Sequence, residues 1–245
     1  AFGDALGGLV SVVAQTAVLT IQVPPRVLGV KMLKVHHDRA ILRENGTYTV
    51  NVGDFYAEES RDVVIEVSLT DDASQATENG IPHLSVMLTY TDVLAKSLTQ
   101  TGPVVCCISR PHNSEVSEDN AHVAAQLLRI MSADAMATAQ QLADHDDLTA
   151  ARQTLQNAID KAQASPAAVQ QDPMVQEILQ DLHVAMNGMK STAEYSLGTT
   201  MFLSNKTQAY KQQRAAESAA GPFAEETVYR KKSKKAMAQK FTLKK

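Results

Sequence analysis

Several residue types that mark common functional classes are scarce or missing in this chain of 245 residues. Tryptophan is absent and aromatic residues make up only 4% of the sequence, which argues against a sugar-binding or base-stacking platform built from aromatic rings. The two cysteines, Cys106 and Cys107, are adjacent, so the chain is not a disulfide-stabilised scaffold. No residues are spaced as in a catalytic or zinc-binding motif. The sequence therefore predicts a protein that is not an enzyme and holds no cofactor or metal of its own.

Long apolar runs and targeting signals are missing as well. No apolar stretch approaches the roughly 18 residues that a membrane helix needs, and the N-terminal residues lack the basic region and cleavage site of a secretory signal. With 44% hydrophobic and 20% charged residues, the composition suits one or two globular domains. These features predict a cytoplasmic protein, or a nuclear one if the basic C-terminal residues act as an import signal.

Positive charge is concentrated at the C-terminal end. Residues 230–245 contain eight lysines or arginines and no acidic residue, so the formal charge of -4 on the whole chain leaves about -12 on residues 1–229. The densest part, hereafter the basic cluster, is the predicted partner-binding site and consists of Arg230, Lys231, Lys232, Lys234 and Lys235. An acidic protein surface, anionic lipid, a phosphate backbone or plain solvation would each suit such a tail. Few aromatic residues accompany the lysines and no recognition helix precedes them, so an acidic partner protein is favoured over specific nucleic-acid binding or a membrane surface.

The first residues follow a helical pattern. Apolar side chains recur at helical spacing, at Phe2, Ala5, Leu6, Leu9, Val10 and Val13, as in an amphipathic helix with one face to bury. No capping residue precedes this run, which indicates a chain cut from something longer. We therefore expect residues 1–15 to form a terminal helix that belongs to a missing upstream domain.

After residue 15 the apolar period shortens from about 3.6 residues to about 2, which indicates half-buried strands. Clear alternations occupy residues 19–23, 48–52, 63–69 and 84–90, and further strands are expected at residues 27–35 and 104–109. The pairs Pro24-Pro25, Asn45-Gly46 and Asn79-Gly80 supply breaks, and Asn45-Gly46 is typical of a tight hairpin turn. Because six or seven antiparallel strands need two packed layers, we expect a β-sandwich over residues 16–110.

From residue 118 onward the composition favours helices. One predicted buried stripe consists of Val123, Leu127, Met131, Ala135, Ala139 and Leu142, and the next of Leu148, Ala151, Leu155, Ala158, Ile159 and Ala162. A third helix begins at Asp172-Pro173, a cap followed by proline, and a fourth runs from about residue 190 to 216. The predicted fold class is thus α+β: an antiparallel β-sandwich followed by an α-helical bundle over residues 118–220, with a basic tail at 221–245.

Two patterns resemble metal sites and have plainer interpretations. The Asp72-Ala73-Ser74 loop is similar to the Asp-x-Ser-x-Ser metal loop of von Willebrand A-type domains, but Ala76 occupies its last position and a solvated turn is favoured. His36-His37 would face opposite sides of a strand, so the two imidazoles would not bind one ion. His145 lies in the acidic turn at residues 144–147, which is more typical of a helix-capping loop than of a metal site.

The cysteines admit a catalytic and a structural interpretation. A reactive thiolate needs a positive, exposed setting, and His112 is close in sequence. Cys106 and Cys107, however, lie within the apolar run of residues 104–108. Buried structural thiols are therefore expected.

Three stretches together resemble the region that follows the von Willebrand A-type domain in a family of eukaryotic cytosolic proteins. They are residues 1–15, similar to the last helix of the A-type domain, residues 52–62, similar to a Gly-Asp-Leu-Tyr-Ala-Glu-Glu turn, and residues 195–214. In the last of these, Phe202-Leu203-Ser204 and Gln212-Gln213-Arg214 resemble Leu-Ser-Gly and Gln-Arg elements of the family. The family includes RING-finger and U-box ubiquitin ligases.

The resemblance implies that the A-type domain lies upstream of Ala1 and is not in this chain. It also implies a scaffold that supports or presents a protein-binding domain, with the upstream domain as a partner. The second expected partner, an acidic protein assembly, follows from the charge of the tail and not from the resemblance. No RING or U-box spacing is present, so no ligase activity carries over to any residue. The alternative is an accessory region that positions substrate for a ubiquitin ligase.

Overall fold

The computed structural model describes residues 12–24, 30–57, 59–69, 77–110 and 120–214. The chain divides into two compact units, Ala1–Glu118 and Asp119–Lys245. The described strands lie in the first unit and the described helices in the second, which gives a mixed α/β fold with antiparallel sheets. Within these ranges no helix is both long enough and apolar enough to cross a membrane.

The first unit contains two antiparallel sheets. Its described strands are β1 (Val12–Gln22), β2 (Val30–His36), β3 (Ala40–Leu42), β4 (Tyr48–Tyr56), β5 (Val64–Leu69), β6 (Thr77–Asp92), β7 (Ser97–Gln100) and β8 (Val104–Arg110). One sheet has the order β3-β4-β1-β6-β7, with β8 also paired to β6, and the other consists of β2 and β5. Every pair in both sheets is antiparallel.

Both sheets contribute to one apolar core. Its buried members are Ala17, Ile21, Val35, Val50, Val52 and Leu84. Alternate residues of a strand face the same side of a sheet, so β1, β2, β4, β5 and β6 each direct one apolar face toward this core. The two-residue periodicity of the sequence is the local cause of the arrangement.

The expected terminal helix is wrong in its last four residues. Residues 12–15 lie in β1, where Val12 pairs with Tyr56 of β4 and Ala14 pairs with Asp92 of β6. Hydrogen-bonding strands on both sides satisfy the backbone of this segment, and that tertiary pairing overrides a local helical period. The remainder of the expected helix, residues 1–11, lies outside the described residues.

One predicted break is confirmed and another is wrong. Asn45-Gly46 forms the turn between β3 and β4, where Arg43 N donates to Thr47 O at 2.8 Å and Gly46 adopts φ +76°. Asn79-Gly80 instead lies inside β6. The register of β6 against β8 shifts between Thr77 and Ile81, and such irregularities accommodate glycine within a strand.

The second unit contains helices around one apolar core. They are α1 (Ala121–Asp144), α2 (Leu148–Gln163), α3 (Ala167–Gln170), α4 (Pro173–Asn187), α5 (Thr192–Glu194), a π-helical turn (Tyr195–Thr199) and α6 (Thr200–Gln212). Side-chain caps begin the long helices: Asn120 Oδ1 accepts from His122 N at 3.0 Å, and Asp172 Oδ1 accepts from Met174 N at 2.8 Å. Asp172 is followed by proline at the first turn, as the sequence predicts.

The predicted buried stripe of α1 is confirmed toward its C-terminal end, where Ala139 is buried and Ala135 and Leu142 pack against the core, and is wrong toward its N-terminal end. The predicted buried stripe of α2 is confirmed. In α1 the core contacts come from Ala125, Leu128, Ser132, Ala133, Met136, Ala139 and Ala143, while Val123 and Leu127 are 55% and 38% exposed. The face that packs is richer in alanine, which permits closer approach of neighbouring helices than the bulkier predicted stripe. In α2 the buried residues are Ala151, Leu155, Ala158, Ile159 and Ala162.

The connection from α4 to α6 is closely packed. Gly188 ends α4, and a Cβ atom added there would lie 2.1 Å from Thr199 Oγ1. Thr199 Oγ1 in turn donates to Gly188 O at 3.2 Å. Only a residue without a side chain allows this approach.

Candidate functional site

Strand β8 presents an exposed apolar edge, hereafter the β8 edge, made of Val104, Val105, Cys106 and Cys107. Val104 is 69% exposed and Val105 47% exposed, and both cysteine residues are exposed with free thiols. Among the described strands, β8 pairs with β6 alone. An apolar strand with one unpaired side is a surface that can accept another strand.

The expectation of buried thiols at Cys106 and Cys107 is therefore wrong. Their apolar neighbours suggest an interior strand, but β8 lies at the margin of its sheet. A run in which successive residues are all apolar does not distinguish a strand buried on both faces from one exposed on both faces. The preceding Gly102-Pro103 is the one local signal that could have indicated an edge, since proline is confined to such positions.

The two adjacent histidines have separate partners. His36 Nε2 lies 3.3 Å from Glu66 Oε2 on the neighbouring strand β5. His37 Nδ1 accepts from Arg39 N at 3.1 Å. These contacts fix the imidazoles in different local structures.

The acidic turn between α1 and α2 is a helix cap. Asp147 Oδ1 accepts from Ala150 N at 2.9 Å, and His145 Nδ1 lies 2.8 Å from Gln141 O. Across residues 12–24, 30–57, 59–69, 77–110 and 120–214, no three His, Cys, Asp or Glu side chains are grouped as a metal site requires. The Asp72-Ala73-Ser74 loop lies outside these ranges.

The turn after β4, within the quoted stretch of residues 52–62, is held together by its own side chains. Arg61 Nη2 donates to Asp54 O at 2.7 Å and to Glu59 Oε1 at 3.0 Å, and the guanidinium lies 4.7 Å from the centroid of the Phe55 ring. Glu59 Oε2 accepts from Tyr56 N at 2.9 Å. Because these groups satisfy one another, the stretch has a structural role.

A polar network lies inside the helical unit and joins α4 to α6. Tyr210 Oη donates to Asp181 Oδ2 at 2.5 Å, and Lys206 Nζ lies 2.8 Å from the same oxygen. Asp181 is 5% exposed and Tyr210 is 2% exposed. A buried carboxylate is tolerated only when a cation and hydrogen-bond donors compensate its desolvation, so this arrangement fixes the packing of the two helices.

Arg129 extends this network to α1. Its Nε donates to Gln126 Oε1 at 2.7 Å, and its Nη1 donates to the carbonyl oxygen of Tyr210. Sequence reasoning missed the network because its members are far apart in the chain. The available signal was Asp181, an acidic residue between the apolar positions Ile178 and Leu182.

A second buried phenol lies at the π-helical turn. Tyr195 Oη donates to Asp144 at the end of α1 and to Gln140 O at 3.2 Å. Burial, and then the hydrogen bond to Asp144, raise the pKa of Tyr195 above its ordinary value of 10.0. The phenol is therefore a neutral structural donor over the physiological range.

The predicted partner-binding residues are those of the basic cluster. Arg230, Lys231, Lys232, Lys234 and Lys235 all lie outside the described residues.

Comparison with known proteins adds one structural likeness. No protein-family profile matches the sequence, and no curated protein matches it. Among solved structures, a von Willebrand factor type A protein from Catenulispora acidiphila is similar over 74% of this chain, at 17% sequence identity and a TM-score of 0.51. This chain spans 41% of the length of that protein. The likeness supports a von Willebrand A-like fold.

This finding corrects the expectation that the A-type part lies upstream of Ala1. The likeness to a von Willebrand factor type A protein falls on 74% of this chain itself, so placing the A-type domain wholly outside the chain is wrong. That expectation depended on short motifs. A structural match depends on the arrangement of strands and helices, which short motifs do not report.

Proposed function

We propose that this chain is a non-enzymatic scaffold and protein-interaction module, and that the basic cluster binds an acidic surface of a partner protein. The observation that carries the proposal is the charge distribution. Eight cations without an acidic residue occupy residues 230–245, whereas residues 1–229 carry about -12. A positive segment on a negative chain is attracted to acidic surfaces while the rest of the chain is repelled by them, which confines the contact to the tail.

In this proposal the two sheets act as a β-sandwich and the helices as a bundle, which together form a stable support. The core shared by both sheets supports the first part, and the core shared by α1, α2, α4 and α6 supports the second. The compensated charges of Asp181 and Lys206 also fit a structural role, since both groups are already engaged with each other.

The experiment compares two variants with the same loss of charge. In one, Lys231, Lys232 and Lys234 are replaced by glutamine, and in the other the three outlying lysines at positions 240, 244 and 245 are replaced by glutamine. Polyglutamate serves as the acidic polypeptide, and binding to the full chain is measured at several salt concentrations. If exposed ion pairs contribute about 0.2–1 kcal/mol each, the three lost pairs should lower the affinity of the first variant roughly 3- to 150-fold.

The position of the lost charge is the decisive comparison. The proposal predicts a clearly larger loss for the first variant, because adjacent cations act on one patch of the partner, and binding that weakens as salt rises. Equal losses in the two variants, or affinity independent of salt, would contradict it. Tighter binding to duplex DNA or to phosphatidylserine vesicles than to polyglutamate at equal salt would contradict an acidic protein as the partner.

The accessory role in a ubiquitin ligase stays a prediction of the sequence. Its test is the sequence upstream of Ala1. A RING or U-box there would favour it, and its absence would favour the structural role.

A further inference from the structure

We propose that β8 mediates a two-fold dimer of this chain, in which the β8 edges of two copies pair antiparallel about Cys106. This inference does not depend on the basic cluster. It depends on the exposure of the β8 edge, on the direction in which its backbone groups point and on its self-complementary sequence.

The exposure of β8 differs sharply from that of its partner strand. Val104, Val105 and both cysteines are exposed, so neither face of β8 is covered along this stretch. On β6, in contrast, His83 is 1% exposed and Leu84 is 8% exposed. The apolar residues of β8 therefore lie outside the core to which β6 belongs, where a second strand could cover them.

The backbone of β8 has a defined outer side. Ile108 N donates to His83 Nδ1 at 3.3 Å, so this amide faces β6. The directions of backbone amides alternate along a strand. The N–H of Cys106 therefore also faces β6, and the N–H groups of Val105 and Cys107 point away from it. Cys107 lies opposite Pro82, which has no N–H to donate, in agreement with that assignment.

The alternation is not interrupted on β8. Its residues pair in steps of one, Val104 with Val86 and Val105 with Ser85, and the register shift near Pro82 inserts the extra residue into β6. The N–H and C=O groups of alternate β8 residues thus point away from β6, to a side on which no other described strand pairs with β8. A strand of the same kind can satisfy them.

The sequence of β8 is complementary to itself. A two-fold axis at Cys106 places Val105 opposite Cys107 of the second copy in hydrogen-bonded pairs, and Val104 opposite Ile108. Apolar and β-branched residues pair favourably across strands. No charged residue occupies positions 104–109 to prevent edge pairing, although charges are the usual protection of an edge.

Like charges do not meet in this register. The nearest charged position, Arg110, falls opposite Gly102 of the second copy. An acidic or basic foreign strand would gain nothing from charge on this neutral edge, whereas a second copy provides the matching apolar pattern. The second copy is therefore the occupant that we infer.

Disulfide formation between the Cys106 thiols of two copies provides a chemical test of the dimer. Two Cys106 residues would form a non-hydrogen-bonded pair with Cα atoms about 4.5 Å apart, a separation at which a disulfide can close. With oxidised glutathione as oxidant, one Cys106 thiolate attacks the glutathione disulfide and displaces a glutathione thiolate. The Cys106 thiolate of the second copy attacks this mixed disulfide and displaces the second glutathione thiolate. Two cysteine thiols are thereby oxidised while one glutathione disulfide is reduced.

The interface is small, and this sets the expected affinity. Five residues from each strand bury far less than the roughly 1,200 Å² of a typical stable interface. We therefore expect a reversible association in reducing buffer, visible by sedimentation only at high protein concentration. The Cys106 disulfide would convert it to a stable dimer.

The first experiment uses the matched variants Cys106→Ser and Cys107→Ser in the full chain. After incubation with oxidised glutathione, non-reducing gels should show a dimer for the wild type and for Cys107→Ser, and at least about tenfold less dimer for Cys106→Ser, because Cys107 faces Val105 across the axis. Labelling of each variant with a maleimide checks that the remaining thiol is accessible. Equal dimer in the two variants, or none in either, would overturn the proposal.

The second experiment tests the edge without relying on which sulfur reacts. Val105→Lys places a charge beside the two-fold axis, and Val123→Lys places the same charge on another exposed valine, in α1. In the Cys107→Ser background, Val105→Lys should reduce dimer yield at least about fivefold and abolish association in reducing buffer, whereas Val123→Lys should leave both unchanged. Equal behaviour of the two lysine variants, with unchanged circular dichroism, would refute pairing through β8.

Discussion

Replacing Leu128 with alanine should destabilise the helical unit more than the same replacement at Leu127, one position earlier on α1. Leu128 is 8% exposed and belongs to the core, whereas Leu127 is 38% exposed. The two positions differ by about 100° around the helix. The comparison therefore measures which face of α1 is buried, with identical chemistry and almost identical helix propensity.

The magnitudes follow from burial. Leucine to alanine removes three carbon atoms, worth about 0.8 kcal/mol each when fully buried. Leu128→Ala loses nearly all of this and also leaves a cavity, so its cost should be about 2.5–4 kcal/mol. At Leu127 part of the side chain already contacts water and no closed cavity forms, so the cost should be about 1–1.5 kcal/mol.

The assay is urea unfolding of the full chain, followed by circular dichroism at 222 nm, a wavelength at which the helices dominate the signal. The slope of the unfolding free energy against urea should stay unchanged, so that the midpoint reports stability alone. If Leu127→Ala were as costly as Leu128→Ala, or more so, the buried face of α1 would be the stripe through Val123, Leu127 and Met131. That outcome would refute the burial of Leu128 in the core of the helical unit.

Three further outcomes test the interior of the helical unit by the same unfolding assay. Tyr210→Phe should lower the unfolding free energy by about 1.5–3 kcal/mol because it removes a buried hydrogen bond to the Asp181 carboxylate. Tyr195→Phe should lower it by less, because Asp144, which accepts the hydrogen bond of Tyr195, is exposed. Equal losses of stability would contradict the buried network. The pKa of Tyr195 is raised above 10.0 in the folded chain, so the unfolded chain loses this proton first as the pH rises. The stability advantage of wild type over Tyr195→Phe should therefore be complete below pH 10 and shrink above it. A stability difference that stays constant with pH would argue against the raised pKa. Gly188→Ala should lower the unfolding free energy by about 1–3 kcal/mol because the added methyl group clashes with Thr199, and by less in a Thr199→Ala background. A gain in stability would show that Gly188 and Thr199 are less closely packed.

Features decided by neighbours in the chain could be predicted. The turn at Asn45-Gly46 follows from the tolerance of glycine for positive φ, and the start of α4 follows from the capping oxygen of Asp172 with proline behind it. The buried face of α2 was predicted because its leucine, isoleucine and alanine residues form a single stripe.

Features decided by distant segments of the chain could not be predicted from the sequence. Helix α1 has a second apolar face, and the chain buries the alanine-rich one because close approach to other helices favours small side chains. The polar network needs Asp181 and Lys206, which only the packing of α4 against α6 brings within 2.8 Å. The position of Asp181 between apolar residues indicates a buried carboxylate, but it does not show which cation or donor lies beside it.

The sequence by itself determined which segments alternate as strands, where several helices begin and where the charge lies, because periodicity, capping and composition act over a few residues. Only the tertiary structure decided that residues 12–15 extend a strand and that Cys106 and Cys107 lie on an exposed edge. An apolar residue is buried only if another element covers it. Which elements do so is a property of the whole packed chain, and the sequence near the residue does not contain it.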